Sequence, residues 1–311
     1  MQWGQIKTLF ILCFLILNIF LLHHFINNPT RELEYTEDMP REENVRNNVS
    51  GLDNIPEETP EKESMLHAQR MEFTEEDVTE IIGLPNQNNV IIDDHLIVSQ
   101  LESPLAINVE EDTETLSEHV WNLDKYEYFG KDEQTNTHIF FQKIDRPIYF
   151  NLSGVLLIQE NQQNEVIYYV QTILEKAEEQ TEQEEEINKP FDALTGLYFS
   201  DGNIVSGDEI TKKVALGYHN LLPLPNGVQV LAPTWEFEVN EEEFFYVNAV
   251  ESHYTMREKH AFIVEMKEQI EEYFGEGNSS AVIAPEDWEE GDLDRLLEQL
   301  LENIEQTNGV E

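Results

Sequence analysis

The side chains able to do chemistry are unevenly stocked in this chain of 311 residues: 64 Asp and Glu, nine His and one Cys. Carboxylates can work as acid and base or hold cations, imidazoles can bind metals or move protons, and a thiolate can attack an electrophile. Each use demands a spacing, and the spacings are missing. No GxSxG, HExxH, phosphate loop or GxGxxG occurs, and no two histidines stand at i, i+4. His253 and His260 fall seven apart on an expected strand-to-helix turn, and Asp201-Gly202-Asn203 lacks the alternating acids of a calcium loop, so it reads as a hairpin turn. Cys13 stands alone, which excludes an internal disulfide, a cysteine zinc site and CxxC redox chemistry. The acidic run 175–186 reads as a solvated like-charge stretch. Carboxylates are too plentiful for any pair to stand out as acid and base. The expectation is a protein that is not an enzyme, with no catalytic residues, no cofactor and no metal.

Charge narrows the partners. Eighteen Lys and Arg leave a formal net charge of -46 and a pI near 4.2. A nucleic-acid binder needs a basic stripe that releases counterions, so nucleic acid is excluded, and anionic lipid headgroups are excluded for the same reason. Self-repulsion of this size suits a surface in salty or alkaline surroundings, where screening is strong.

The elements that would position any site begin with residues 8–26, TLFILCFLILNIFLLHHFI, 19 positions without a formal charge. As a helix rising about 1.5 Å per residue they span roughly 28 Å, enough for a single-pass transmembrane helix. Lys7 lies on one side and the acids after Arg31 on the other, which predicts a cytoplasmic N-terminus (1–7), a cell-membrane location and an extracytoplasmic bulk. A cleaved signal peptide is the rival, but no Ala-x-Ala site follows. Ile11, Leu15, Asn18, Leu22 and Phe25 share one helical face, a candidate partner-binding surface. There an interhelical Asn18 hydrogen bond would contribute about 0.6–2 kcal/mol, the alternative being that Asn18 bonds back to its own helix.

Outside the membrane the sequence predicts an acidic linker (27–63), a first α+β unit (64–174), an acidic connector (175–189), a second α+β unit (190–255) and an amphipathic helical extension (256–311). In the first unit a helix over 73–84 opens at Thr74 and ends at Gly83, before aromatic and β-branched strands over 138–150, 154–159 and 166–174. The second repeats the order: a helix near 190–197, then strands over 209–218, 228–239 and 244–251. In the extension Phe262, Ile263, Met266, Ile270, Tyr273 and Phe274 form one helical stripe and Leu293, Leu296, Leu297, Leu300, Leu301 and Ile304 another. They pack on each other or on the sheet, or dock to a partner chain. The fold class is α+β: two tandem helix-plus-antiparallel-sheet units outside the membrane, one N-terminal transmembrane helix and extra C-terminal helices.

Two stretches carry a family likeness. Met1-Gln2-Trp3, Ile6-Lys7-Thr8 and the apolar run after them form one; Leu216-Gly217-Tyr218, QVLAPTWE over 229–236 and Tyr246-Val247-Asn248-Ala249 form the other. The chain resembles the YycI family. That resemblance implies a single-pass membrane protein of low-GC Gram-positive bacteria that associates with YycH and the sensor histidine kinase WalK (YycG). It would modulate the WalK/WalR (YycG/YycF) two-component system that governs cell-wall metabolism. The family-motif residues are Leu216, Gly217, Tyr218, Pro233, Thr234, Trp235, Asn248 and Ala249. Read as structure alone, Gly217 is a bulge, Pro233 an edge-strand kink and Trp235 a core aromatic. A competing function is an extracytoplasmic ligand-binding or hydrolase-inhibiting domain that uses a groove between the two units.

Overall fold

The computed structural model describes residues 7, 10–12, 14–18, 40–177, 184–200, 203–220, 227–274, 281–285, 288 and 291–305. The chain divides into two compact units, Met1–Asn44 and Val45–Glu311. In the first, residues 10–12 and 14–18 are helical, and their apolar side chains are exposed, from Phe10 at 70% to Leu17 at 49%. Among the described residues no helix is long and apolar enough to cross a membrane. The rest of the predicted span, including Leu22 and Phe25, lies outside the described residues, as do most of 1–7 and 27–39.

The predicted linker 27–63 needs correction from residue 40 onward. Helix α1 (Arg41–Asn48), a 3-10 turn at Leu52–Asn54 and strand β1 (Lys62–Ser64) are folded elements. Val45 and Val49 are buried in a cluster with Leu194, Leu197 and Ile210. The apolar positions Val45, Val49, Leu52 and Ile55 recur every three or four residues, enough to bury one stripe. Glu42 and Glu43 stay exposed, so the acidic character of the segment lies on its solvent side.

Strand β2 (Leu66–Arg70) leads to helix α2 (Glu75–Ile82), which starts at Thr74 as expected. The cap is reciprocal: Asp77 N–H donates to Thr74 Oγ1 at 3.2 Å, and Thr74 N–H donates to Asp77 Oδ2 at 2.8 Å. The hairpin β3 (Gln87–Ile92) and β4 (Leu96–Leu105) turns through Asp93 and Asp94. After a short helix α3 (Thr113–Ser117) come β5 (Tyr126–Asp132) and β6 (Thr137–Ile144). The expected single strand 138–150 is two: Asp145, at φ 61°, reverses the chain into β7 (Arg146–Tyr149). Asp tolerates this left-handed conformation, so a turn hides inside an apolar pattern. The meander continues through β8 (Val155–Glu160) and β9 (Val166–Thr172).

β10 (Leu174–Lys176) and β11 (Glu184–Glu186) flank the acidic run, whose residues 178–183 lie outside the described set. Helix α4 (Pro190–Phe199) follows, then β12 (Ala215–Asn220), β13 (Gln229–Val239), β14 (Glu243–Asn248) and β15 (Tyr254–Met256). The turn anticipated at Asp201-Gly202 is outside the described residues. Last come α5 (Lys259–Phe274), β16 (Val282–Ile283) and α6 (Asp292–Glu305).

The α+β class holds, but the tandem arrangement does not describe the sheet. Its order is β10-β2-β13-β12-β7-β6-β8-β9-β4-β3-β16, with β14 on β13, β15 on β14 and β5 on β6. The segments 64–174 and 190–255 therefore interleave: β2 pairs with β13, and β7 lies parallel to β12 with His219 opposite Tyr149. Strand alternation decides which side chains go to which face, and here both faces are covered, so β8 is buried at every position. Helices α5 and α6 cover one face, packing Phe262, Met266, Leu296 and Leu300 against Val90, Phe141 and Val170. The extension thus packs on the sheet. The opposite face holds Ile81 of α2, Leu116 of α3 and Trp121. Around β13 and β14, α1 and α4 supply the cover.

Candidate functional site

The three signature strings sit side by side. Leu216 of β12 stands opposite Trp235 of β13, which stands opposite Val247 of β14; one step along, Gly217, Thr234 and Asn248 form the next row. Tyr218 faces Pro233. Trp235 is 1% exposed, and its Nε1–H donates to the Asn188 carbonyl at 2.9 Å. The Asn188 N–H donates to the Ala249 carbonyl at 2.7 Å, and Ala249 N–H donates to the Pro233 carbonyl at 2.8 Å. Two signature residues thereby grip the backbone just ahead of α4 and fix where that helix starts. Asn248 Oδ1 accepts from Val250 N–H at 2.8 Å and Glu251 N–H at 3.0 Å, closing the turn toward β15.

The core-aromatic reading of Trp235 agrees with this geometry, whereas two other readings are corrected. Gly217 is no bulge, since its register with β13 is continuous. A Cβ added there would lie 2.4 Å from Tyr149 Cε2 and 2.6 Å from the Pro147 carbonyl oxygen, so the missing side chain is what lets the Tyr149 ring lie on the strand. Pro233 is not on an edge: β13 is paired on both sides.

Beside the signature lies a buried polar group set. Glu236 is 4% exposed, accepts from the Tyr246 hydroxyl at 3.3 Å and has Lys212 Nζ at 3.8 Å. Burial pushes its carboxyl above the ordinary range, against the opposing pull of Lys212. Burial, reinforced by the Glu236 charge, also raises Tyr149 and Tyr246 well above a normal phenol. His219 stacks on Tyr246 with ring centroids 6.0 Å apart. Burial first, then the Arg257 charge, lowers this imidazole to about 4. It is neutral at pH 7, and because its Nδ1 contacts the Asn220 carbonyl at 3.1 Å, the proton sits on Nδ1.

His219 also borders a cleft of about 1470 Å³. The floor is made by Asn151, Ser153 and Gln229, all buried, together with Asn220. One wall is α5, through Glu265, Glu268, Gln269 and Tyr273; another is the β3–β4 turn with Asp93, Asp94 and His95. The His95 and α5 contacts form one directed chain. His95 Nδ1–H donates to the Asp93 carbonyl at 2.7 Å, the Tyr273 hydroxyl donates to His95 Nε2 at 2.6 Å, and Gln269 Nε2–H donates to that hydroxyl at 3.2 Å. Burial lowers His95, consistent with the neutral tautomer this chain needs. Both imidazoles are therefore engaged with a carbonyl or a phenol, and the cleft offers amides, hydroxyls and charges suited to holding a molecule.

Sequence reasoning placed the signature correctly in adjacent strands but missed the cleft, whose lining comes from β2, α2, the β3–β4 turn, the β7–β8 loop, β12, β13, α5 and β16. Only His219, next to the Leu216-Gly217-Tyr218 string, offered a local clue. Of the predicted membrane-face residues, Ile11, Leu15 and Asn18 are helical and exposed.

Compared with known families, the chain matches the model described as YycI protein over residues 37–250, a stretch that holds all eight signature residues and stops short of α5. No curated protein matches it.

Proposed function

Because this chain belongs to the YycI family, we infer that it is a non-catalytic, membrane-anchored regulatory subunit of a two-component system. It acts on the sensor kinase WalK (YycG), with YycH as a second partner, from the outer side of the cell membrane. The match over residues 37–250 carries this reading, and the exposed apolar helix of residues 10–12 and 14–18 supports the anchor. In lipid those side chains would be solvated by acyl chains, which removes the cost of leaving them in water.

A regulator of this kind shifts the kinase only by its differential affinity for the two signalling states. A difference of about 1.4 kcal/mol moves that equilibrium tenfold, which a few interhelical and outer contacts can supply. Crosslinking in native membranes, followed by identification of the captured chain, tests the assignment. The kinase and YycH should be recovered; recovery of neither would sink the reading. Asn18→Leu should lower the yield if the amide bonds across helices, and an unchanged yield removes Asn18 from the contact.

A further inference from the structure

In a chain with 64 acids and 18 bases, a guanidinium has many carboxylates to choose from. Arg146, Arg257 and Arg295 each pair with an acid, at 2.7, 2.9 and 2.9 Å, and Arg46 lies over the Phe191 ring. Arg70, at the end of β2 and half-buried in the cleft, forms no ion pair with the described residues. Among the described residues its hydrogen bond runs from Nε–H to Ser153 Oγ, at 3.2 Å.

That bond is heavily supported. Ser153 Oγ also accepts from Gln229 Nε2–H at 3.3 Å, and Ser153 N–H donates to Asn151 Oδ1 at 2.8 Å. Asn151 Nδ2 donates to Gln229 Oε1 and Asn220 Oδ1, both at 2.8 Å. Asn151, Gln229 and Ser153 are only 1%, 3% and 4% exposed. Burying three polar side chains is costly unless they satisfy one another, and what this closed set holds in place is one edge of a guanidinium. The terminal nitrogens of Arg70 remain as a planar fork, the shape that matches a carboxylate.

The rest of the lining selects the ligand. Seven carboxylates, Glu268 on α5 and Glu72 beside Arg70 among them, outnumber two guanidiniums, so a simple anion is repelled on approach. An anion that brings its own positive charge is admitted. At about 1470 Å³ the cleft exceeds the roughly 300–1,000 Å³ of ordinary small-molecule sites, too much room for a single amino acid and enough for a short peptide whose carboxylate and ammonium stand apart. We propose that this cleft is a receptor site for a short zwitterionic peptide, with Arg70 pairing to the C-terminal carboxylate and the acidic lining taking the ammonium group. The site stands independently of which kinase the protein regulates.

The test uses the full chain in detergent micelles and, as probe, a mixed pool of unblocked tripeptides each carrying one lysine, followed by equilibrium dialysis. The pool should be retained, and the same pool with amidated C-termini should bind about tenfold more weakly. Arg70→Lys, which keeps the charge and loses the fork, should cost about fivefold, and Arg70→Gln more. The double variant Glu72→Gln, Glu268→Gln changes two exposed side chains and should weaken binding without altering the melting temperature. Failure to retain the pool, equal binding of the amidated pool, or full binding by Arg70→Gln overturns the proposal. So does displacement by acetate as effective as by peptide, which makes this a simple anion site, or by spermidine, which reduces it to acidic surface. An Arg70→Gln chain that fails to fold leaves Arg70→Lys and the amidated pool to decide.

Discussion

The half of the sheet made by β3, β4, β9 and β8 and the half made by β12, β13 and β14 are both covered on two faces, yet they are filled by different means. In the first, the buried positions are largely aliphatic: Val90, Ile92, Val98, Val155, Leu157 and Val170. Its buried amides act as staples to backbone, as when Asn89 Nδ2–H donates to the Ile81 carbonyl at 2.7 Å and Gln171 Nε2–H to the Trp121 carbonyl at 2.6 Å. In the second, the strands bury the rings of Tyr218, Trp235, Phe237, Phe244, Phe245 and Tyr246, a carboxyl is buried among hydroxyls, and a glycine lies under a tyrosine. Aliphatic packing asks for volume and tolerates exchange of one branched residue for another. Close approaches and buried ionisable groups ask for particular residues, which is why the family signature falls in the second half.

The sharpest test of that contrast is Gly217→Ala. The new methyl would collide with the Tyr149 ring and the Pro147 carbonyl, and we expect a loss of about 3 kcal/mol in urea unfolding. A loss under about 1 kcal/mol would mean that β7 and β12 yield easily and that the contrast is overstated. Trp235→Phe keeps a ring but orphans the Asn188 carbonyl, with an expected cost of about 2 kcal/mol. Amide exchange in α4 should rise with it, since Asn188 anchors that helix. In the aliphatic half, Ile158→Val should cost only about 1 kcal/mol; a cost matching that of Trp235→Phe would erase the distinction.

Glu236→Gln carries a pH signature as well as a magnitude. Its folded pKa lies above the ordinary 4.5, so the protonated carboxyl contributes stability below that value, and the contribution is lost as pH rises through the folded pKa. The Gln variant should flatten this slope and gain on the order of 1 kcal/mol at neutral pH, less what the Lys212 contact contributes. Identical slopes in wild type and variant would show that Lys212 already compensates the charge. Smallest of all, changing Glu184, Glu185 and Glu186 to Gln should move stability by less than about 0.5 kcal/mol, because all three are exposed. Because salt screens the summed repulsion of a net charge of -46, the urea midpoint of the whole chain should rise with inert salt; a flat or falling midpoint would show the surface charge to be compensated.

Elements with a local signature could be read directly. Thr74 and Asp77 announce α2, the stripe from Phe262 to Ile270 announces α5, and the β-branched runs announce β8 and β9. Three kinds of feature could not be. A turn at one left-handed Asp145 leaves no gap in an apolar run, so β6 and β7 read as one strand. The β3–β4 hairpin went unread because Asn88, Asn89 and the Asp93-Asp94 pair break its apolar alternation. Pairings such as Leu66 with Leu231, and a cleft assembled from segments scattered between residues 69 and 283, depend on contacts between distant parts of the chain that no local spacing encodes.

The pairing of β2 with β13 also sets an order of events during folding. While the chain is being made, Leu66 must wait until Leu231 has been synthesised before it meets its partner, and β10, which hydrogen-bonds to β2, gains no second neighbour for β2 until then. Closing a loop of this length costs entropy before any contact returns it, and topologies rich in such distant contacts fold slowly. The aliphatic half, whose strands all lie before residue 173, can assemble before β12, β13 and β14 are made. The signature half is the late one, so a truncated chain ending before residue 229 would carry an unpaired edge of β2, ready to pair with another copy.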